Sequence, residues 1–199
     1  MKKLEDGTLQ FSIFPTIIHV LDFSDLVGDV EKICNSVEWT KLGGENQSAD
    51  LQILESHPEI KEKFTNKVNQ TLVSQFKYVN PFQIITSWFT RTKPEANIQK
   101  HSHTNSIWSS VYYFHDDCNP LTFHKDFPLI NVPMDGDDPD LMMHGDVTFP
   151  AISGKMLLFP SYLDHSVMVN MTGKHRYSLA MNWMPHGICQ IGDSGYNYQ

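Results

Sequence analysis

The chain has 199 residues, 40% of them hydrophobic and 19% charged, the composition of a globular protein long enough for one domain with a sizeable core. A formal net charge of −8 with no long basic run argues against nucleic acid as a partner. No apolar run approaches the roughly 18 residues of a membrane span, so no membrane is expected either.

The first residues, "MKKLEDGTLQF", carry two lysines without an apolar stretch behind them, so no signal peptide is expected. Cys34, Cys118 and Cys189 are odd in number and lack metal-site spacing, which reads as reduced thiols in a cytoplasm.

"FSIFPTIIHVLDF" (11–23) predicts a strand, and Ser24-Asp25 a helix cap. Leu26, Val30, Ile33 and Val37 then recur at helical spacing over 25–39. After a loop at 41–50, Pro58 opens a second helix with Ile60, Phe64, Val68, Leu72 and Phe76 on one stripe.

Beyond Pro81 the pattern changes to short strands: 82–90, 97–103, 107–114, 120–124, 155–161, 165–171 and 176–184, divided by Pro, Gly and Asn turns. A single domain over 1–199 is expected: residues 1–80 supply a strand and helices, and 81–185 the core of short strands. Residues 127–147 read as an irregular insertion, a lid or a solvated loop. Helices first and many strands after predict a mainly β, α+β fold with a β-sandwich or barrel.

Most of the ten histidines stand alone. His101 and His103 do not. On a strand, residues i and i+2 share a face, so two imidazoles would project within reach of one ion. His165 stands at the turn that opens "HSVMVN" and can supply a third. Arg176 follows eleven residues later and opens a strand on which Ser178, Ala180 and Asn182 share its face. A guanidinium turned inward requires an anion, because an unpaired buried charge is costly, and its planar fork suits a carboxylate. By the same alternation Gln99 and Asn97 share the face of His101, and Trp88 either lines the pocket or packs in the core.

The order H-x-H, distal His, then Arg resembles the Fe(II)/2-oxoglutarate-dependent oxygenases, whose core is a double-stranded β-helix of the jelly-roll or cupin-like type. More closely, "IFPTIIHV", "ITSWFTRTKPEANIQKHSHTNSIWSSVYYF", "KMLLFPSYLDHSV" and "HRYSLAMNW" resemble a family of small oxygenases from bacteria and from phages of marine bacteria. The resemblance implies Fe(II) held by His101 and His165, with His103 at the position of the remaining ligand. It implies 2-oxoglutarate as co-substrate, gripped by Arg176 with Ser178. It also implies that a tyrosine of the 109–114 strand touches this carboxylate, and alternation favours Tyr113 over Tyr112; Gln99 and Asn182 orient 2-oxoglutarate, contact substrate or satisfy polar groups of the barrel. The implied reaction is hydroxylation with O2, yielding succinate and CO2, on a small-molecule or peptide substrate in the cytoplasm (a host's, for a phage protein). A homodimer through a free strand edge stays open.

One departure stands out. His103 occupies the position where that pattern usually has a carboxylate. It is a third ligand, or it leaves a two-histidine site, or Asp116 or Asp117 reaches in from the far end of the strand. Two rivals follow: a three-histidine cupin-type dioxygenase that does not use 2-oxoglutarate, and a jelly-roll binding module without catalysis.

Overall fold

The structure, a computed structural model, describes residues 2–3, 5–6, 9–10, 16–40, 47–116, 118–124, 146–190 and 192–199. Along these residues run β1 (Lys2–Lys3), β2 (Leu9–Gln10), β3 (His19–Asp22), α1 (Val27–Cys34) and α2 (Pro58–Phe76). Then come β4 (Phe82–Thr92), β5 (Ile98–His101), β6 (Trp108–Tyr112), β7 (Cys118–His124) and β8 (Asp146–Ala151). The chain closes with β9 (Lys155–Pro160), β10 (His165–Val167), β11 (Arg176–Pro185), β12 (Gly187–Cys189) and β13 (Tyr196–Tyr198).

Two antiparallel sheets form the body. One has five strands in the order β3-β9-β6-β11-β4, the other four in the order β5-β10-β7-β8. β1 pairs with β2 and β12 with β13 as separate two-stranded ribbons. Strands distant in sequence alternate between the two sheets, which is the double-stranded β-helix expected.

Alternation along the strands divides the core in two. Val111, Tyr113, Leu121, Phe123, Leu157, Phe159 and Val167 fill the space between the sheets. Trp108, Tyr112, Phe114, Met156, Leu158, Leu179 and Trp183 face the other way and meet the helices. From α2, Phe64, Val68 and Leu72 present a fully buried stripe to that outer face. Each such side chain contributes about 1.5–3 kcal/mol on burial. The helix starts with Pro58 in its first turn and ends at Lys77, which adopts a left-handed φ of 58°. Tyr112 ties the layers together by donating its hydroxyl to the Phe23 carbonyl at 2.9 Å.

Gly154, at the turn into β9, has φ +78°, and a Cβ there would stand 2.8 Å from the Ser24 backbone. Its carbonyl accepts the Phe23 N–H at 2.7 Å and its own N–H donates to Tyr113 at 2.8 Å. Only glycine allows both the left-handed turn and this approach.

Several expectations change. Of the 11–23 strand, residues 19–22 are strand and 11–15 lie outside the described residues. Ser24 does not cap a helix; its N–H and hydroxyl both donate to Asp22 Oδ1, and a short 3-10 turn at 24–26 leads into α1. The insertion at 127–147 lies outside the described residues, save that Asp146 and Val147 open β8. β8 itself was not foreseen. The strand expected over 97–103 stops at His101, so His103 is no strand residue.

Candidate metal centre

His101, His103 and His165 come together at one end of the space between the sheets. Their candidate ligand atoms all lie within 4.8 Å of one another. The rings of His101 and His165 have centroids 4.4 Å apart, and those of His103 and His165 stack at 5.2 Å with an interplanar angle of 16°.

Each histidine arrives by a different route. His101 ends β5 and His165 begins β10, and the two are register partners. His165 is therefore a strand residue rather than a turn residue. The outward flank of β10 is held by His124, whose Nε2 bonds Ser166 Oγ at 2.7 Å and whose Nδ1 bonds Asp146 at 2.7 Å. The His124 N–H also donates to Asp164 at 2.8 Å.

His103 is placed by a loop. Its N–H donates to the Ser161 carbonyl at 2.9 Å. Ser161 is fully buried, and its hydroxyl bonds those of Ser106 and Ser109 at 2.9 and 2.8 Å. Ser109 in turn donates to Asn182 Oδ1 at 2.8 Å. Sequence alternation alone could not find Ser161, because the contact joins two loops far apart in the chain.

The tautomers suit a cation. His101 Nδ1 donates to the Gln99 carbonyl at 2.8 Å, and His165 Nδ1 to the Leu163 carbonyl at 2.9 Å. A carbonyl only accepts, so both rings carry the proton on Nδ1 and keep the Nε2 lone pair available. This is the arrangement that outer partners impose on metal-binding histidines. Burial, with a smaller contribution from neighbouring His101, lowers His103 to about 4. Burial likewise lowers His165 to about 4. Both are therefore neutral, as a ligand must be, at neutral pH.

The three histidines line a cavity of about 410 Å³ together with Trp88, Gln99, Arg176 and Ser178. Arg176 is 2% exposed, and its Nε and Nη2 have no hydrogen-bond partner. Its guanidinium carbon sits 5.4 Å from the Tyr113 ring centroid. A stacked ring does not replace the lost hydration of a buried cation. The cavity wall thus offers unused guanidinium donors to an anion.

The structure brings His101, His103, His165, Gln99, Arg176 and Ser178 to one cavity. Asn97 and Trp88 also line it. Tyr113 and Asn182 do not form its wall: Tyr113 is fully buried beside Arg176, and Asn182 accepts from Ser109. Tyr112 faces the helices. Asp116 is exposed and accepts the Ser153 N–H at 3.2 Å, away from the histidines; Asp117 lies outside the described residues. Gln47, Thr90 and Phe159 line the cavity without any signal in the sequence.

The fold and the site thus define a double-stranded β-helix with three imidazoles and one buried arginine around a cavity. Residues 86–182, the segment from β4 to β11 that carries all these groups, match the family described as "Putative 2OG-Fe(II) oxygenase". That match makes this segment similar to the 2OG-Fe(II) oxygenases over just under half of the chain. No curated protein matches the chain.

Among solved structures, an oxidoreductase of the 2OG-Fe(II) oxygenase family from Burkholderia pseudomallei is similar with a TM-score of 0.62 at 10% identity, over 83% of each chain. HygX from Streptomyces hygroscopicus, solved with nickel and 2-oxoglutarate, gives 0.59 at 12% identity, over 85% of this chain and 83% of its own. A Pseudomonas putida prolyl-4-hydroxylase gives 0.53 at 14% identity, over 84% and 92%. At such identities the likeness is one of fold. No helix among the described residues is long and apolar enough to cross a membrane.

Proposed function

We propose that the protein is an Fe(II)/2-oxoglutarate-dependent dioxygenase that hydroxylates an organic substrate. Substrate, 2-oxoglutarate and O2 are converted to hydroxylated substrate, succinate and CO2. The observation that carries this reading is Arg176: a buried guanidinium with two unpartnered nitrogens in the same cavity as three clustered histidines.

In this reading His101, His103 and His165 hold the iron. The donor set fits, since neutral imidazoles suit Fe(II), and two of the rings are already oriented by backbone carbonyls. Fe(II) with 2-oxoglutarate supplies the oxidising chemistry; the chain binds, orients and excludes water.

Arg176 takes the distal carboxylate of 2-oxoglutarate. The binding energy is large because the donors are desolvated beforehand. Ser178, buried beside it on β11, supplies a further hydroxyl. Tyr113 acts through Arg176 by holding the guanidinium plane rather than through the cavity wall. Gln99 fixes His101 through its carbonyl, and its side chain is free to meet the co-substrate. Asn182 belongs to the hydrogen-bonded row that steadies the His103 loop.

A three-imidazole site is one negative charge short of a site with a carboxylate. The dianionic co-substrate offsets this, which couples its binding to that of the metal. A dioxygenase that does not use 2-oxoglutarate has no use for Arg176.

The test is anaerobic titration of the Fe(II)-loaded protein with 2-oxoglutarate, following the metal-to-ligand charge-transfer band in the visible. A band that appears and saturates is expected. Iron binding without the band would favour the three-histidine dioxygenase. Failure to bind iron would leave a non-catalytic binding module.

A further inference from the structure

A second cavity, of about 420 Å³, adjoins the first. Among the described residues the two linings have His103 in common. The second cavity is unlike the first in chemistry. Phe76, Tyr78, Trp108, Ile107 and Tyr162 form most of its wall, and among the described residues no Asp, Glu, Lys or Arg lines it. Phe76 sits between two other rings, with centroids 5.4 Å from Trp108 and 5.5 Å from Tyr78.

Two features of this wall lack a structural purpose. Tyr162 and Ile107 are 71% and 44% exposed, although both are large and apolar enough to be buried. Trp108 is 4% exposed, yet its indole Nε1 has no hydrogen-bond partner. A buried donor without a partner costs about 1–3 kcal/mol, and buried Trp N–H groups usually find an acceptor. Ser106, also on the wall, already donates its hydroxyl to Ser161 and keeps only acceptor capacity.

We infer that this cavity is the subsite for the primary substrate, and that the substrate is an uncharged, ring-bearing molecule presenting a carbonyl or hydroxyl oxygen to the Trp108 indole. The inference rests on the oxygenase reading for its catalytic meaning, not for binding itself. A volume of this size lies within the usual range for small-ligand sites, roughly 300–1,000 Å³. Aromatic walls favour a flat or alicyclic ring by stacking and edge contacts. A charged group would find no counter-charge and would lose hydration without return. Contact with His103 puts the bound ring next to one of the three histidines, where the carbon to be oxidised has to lie.

The probe is 1-indanone, an uncharged bicyclic ketone. Indane lacks the oxygen and 1-aminoindane carries a positive charge. Calorimetric titration of the full chain should show saturable binding of 1-indanone, weaker binding of indane, and the weakest binding of 1-aminoindane. Trp108→Phe keeps the ring and removes the donor. It should abolish the preference for 1-indanone over indane, a loss of roughly 3- to 10-fold, which corresponds to one hydrogen bond. Tyr162→Ala, a change at an exposed residue that leaves the fold intact, should weaken both ligands together.

The second readout is the visible band of the Fe(II)/2-oxoglutarate protein, which 1-indanone should shift. Failure of 1-indanone to bind, or a preference that survives in Trp108→Phe, would overturn the subsite. Saturable binding that leaves the band unchanged would overturn its role as the substrate subsite. If the band never forms while 1-indanone binds with the Trp108-dependent preference, the oxygenase reading fails and the binding site stands.

Discussion

His101 and His165 are cross-strand partners, paired in the antiparallel register of β5 and β10 with ring centroids 4.4 Å apart. The side-chain period of a strand is two, so a slip of one residue in β10 would put Ser166 opposite His101 and turn His165 away. The register is held on the other edge, where His165, Ser166 and Val167 pair with Phe123, Thr122 and Leu121 of β7. Two histidines are thus supplied by sheet geometry, while the third depends on a loop.

Arg176→Met should remove 2-oxoglutarate binding while Fe(II) stays bound. Loss of a desolvated, charge-assisted contact costs about 2–5 kcal/mol, which is a weakening of 30-fold or more. The same substitution removes a buried cation with unpartnered nitrogens, so the apoprotein should melt at the same temperature or higher. Thermal unfolding with and without co-substrate measures both effects. Co-substrate affinity equal to that of the wild type would sink the assignment of Arg176.

His103→Ala should lower Fe(II) affinity, and His103→Asp should restore most of it by supplying the carboxylate usual in related sites. Anaerobic metal titration distinguishes the alternatives. Unchanged affinity in His103→Ala would mean that His101 and His165 bind the ion alone.

The metal-free protein should lose stability as the pH falls from about neutral toward 4. In the folded state burial lowers His103 and His165 from 6.5 to about 4. Between those values the unfolded chain binds more protons than the folded one, so stability rises with pH across this window. Above 6.5 the contribution is fully present; it is lost as the pH falls through the folded values. Urea midpoints of the apoprotein at a series of pH values measure the slope, and His165→Asn should flatten it. An identical slope in that variant would rule out His165 as a source.

Phe64→Ala should destabilise the fold by about 3–5 kcal/mol. The ring is fully buried between α2 and the five-stranded sheet, 5.3 Å from Tyr112 and 4.7 Å from Phe23 by centroid. Chemical denaturation reads the loss. Below the transition, metal affinity should be unaltered, because none of these rings lines the cavity of the histidines. A large change in metal affinity at full folding would show that the helical layer shapes the site.

The sequence by itself determined the kind of protein this is. The stripe from Phe64 to Leu72 is written at helical spacing, and β4, β6, β9 and β11 are written as short strand-like runs bounded by turn residues, because each segment's pattern has to match the faces it buries. The H-x-H pair, His165 and Arg176 were legible as residue types whose chemistry demands company. Local periodicity carries no information about which distant segments meet. The tertiary structure decided that His103 leaves the strand after His101 and hangs from Ser161, and that Asn182 serves the serine row rather than the cavity wall. It decided that Arg176 lies buried with unused donors, and that Trp108 lines a second cavity on the far side of His103. These depend on sheet order and on loops that meet across long stretches of chain, and burial, which makes an unpaired donor costly, exists only once those segments have packed.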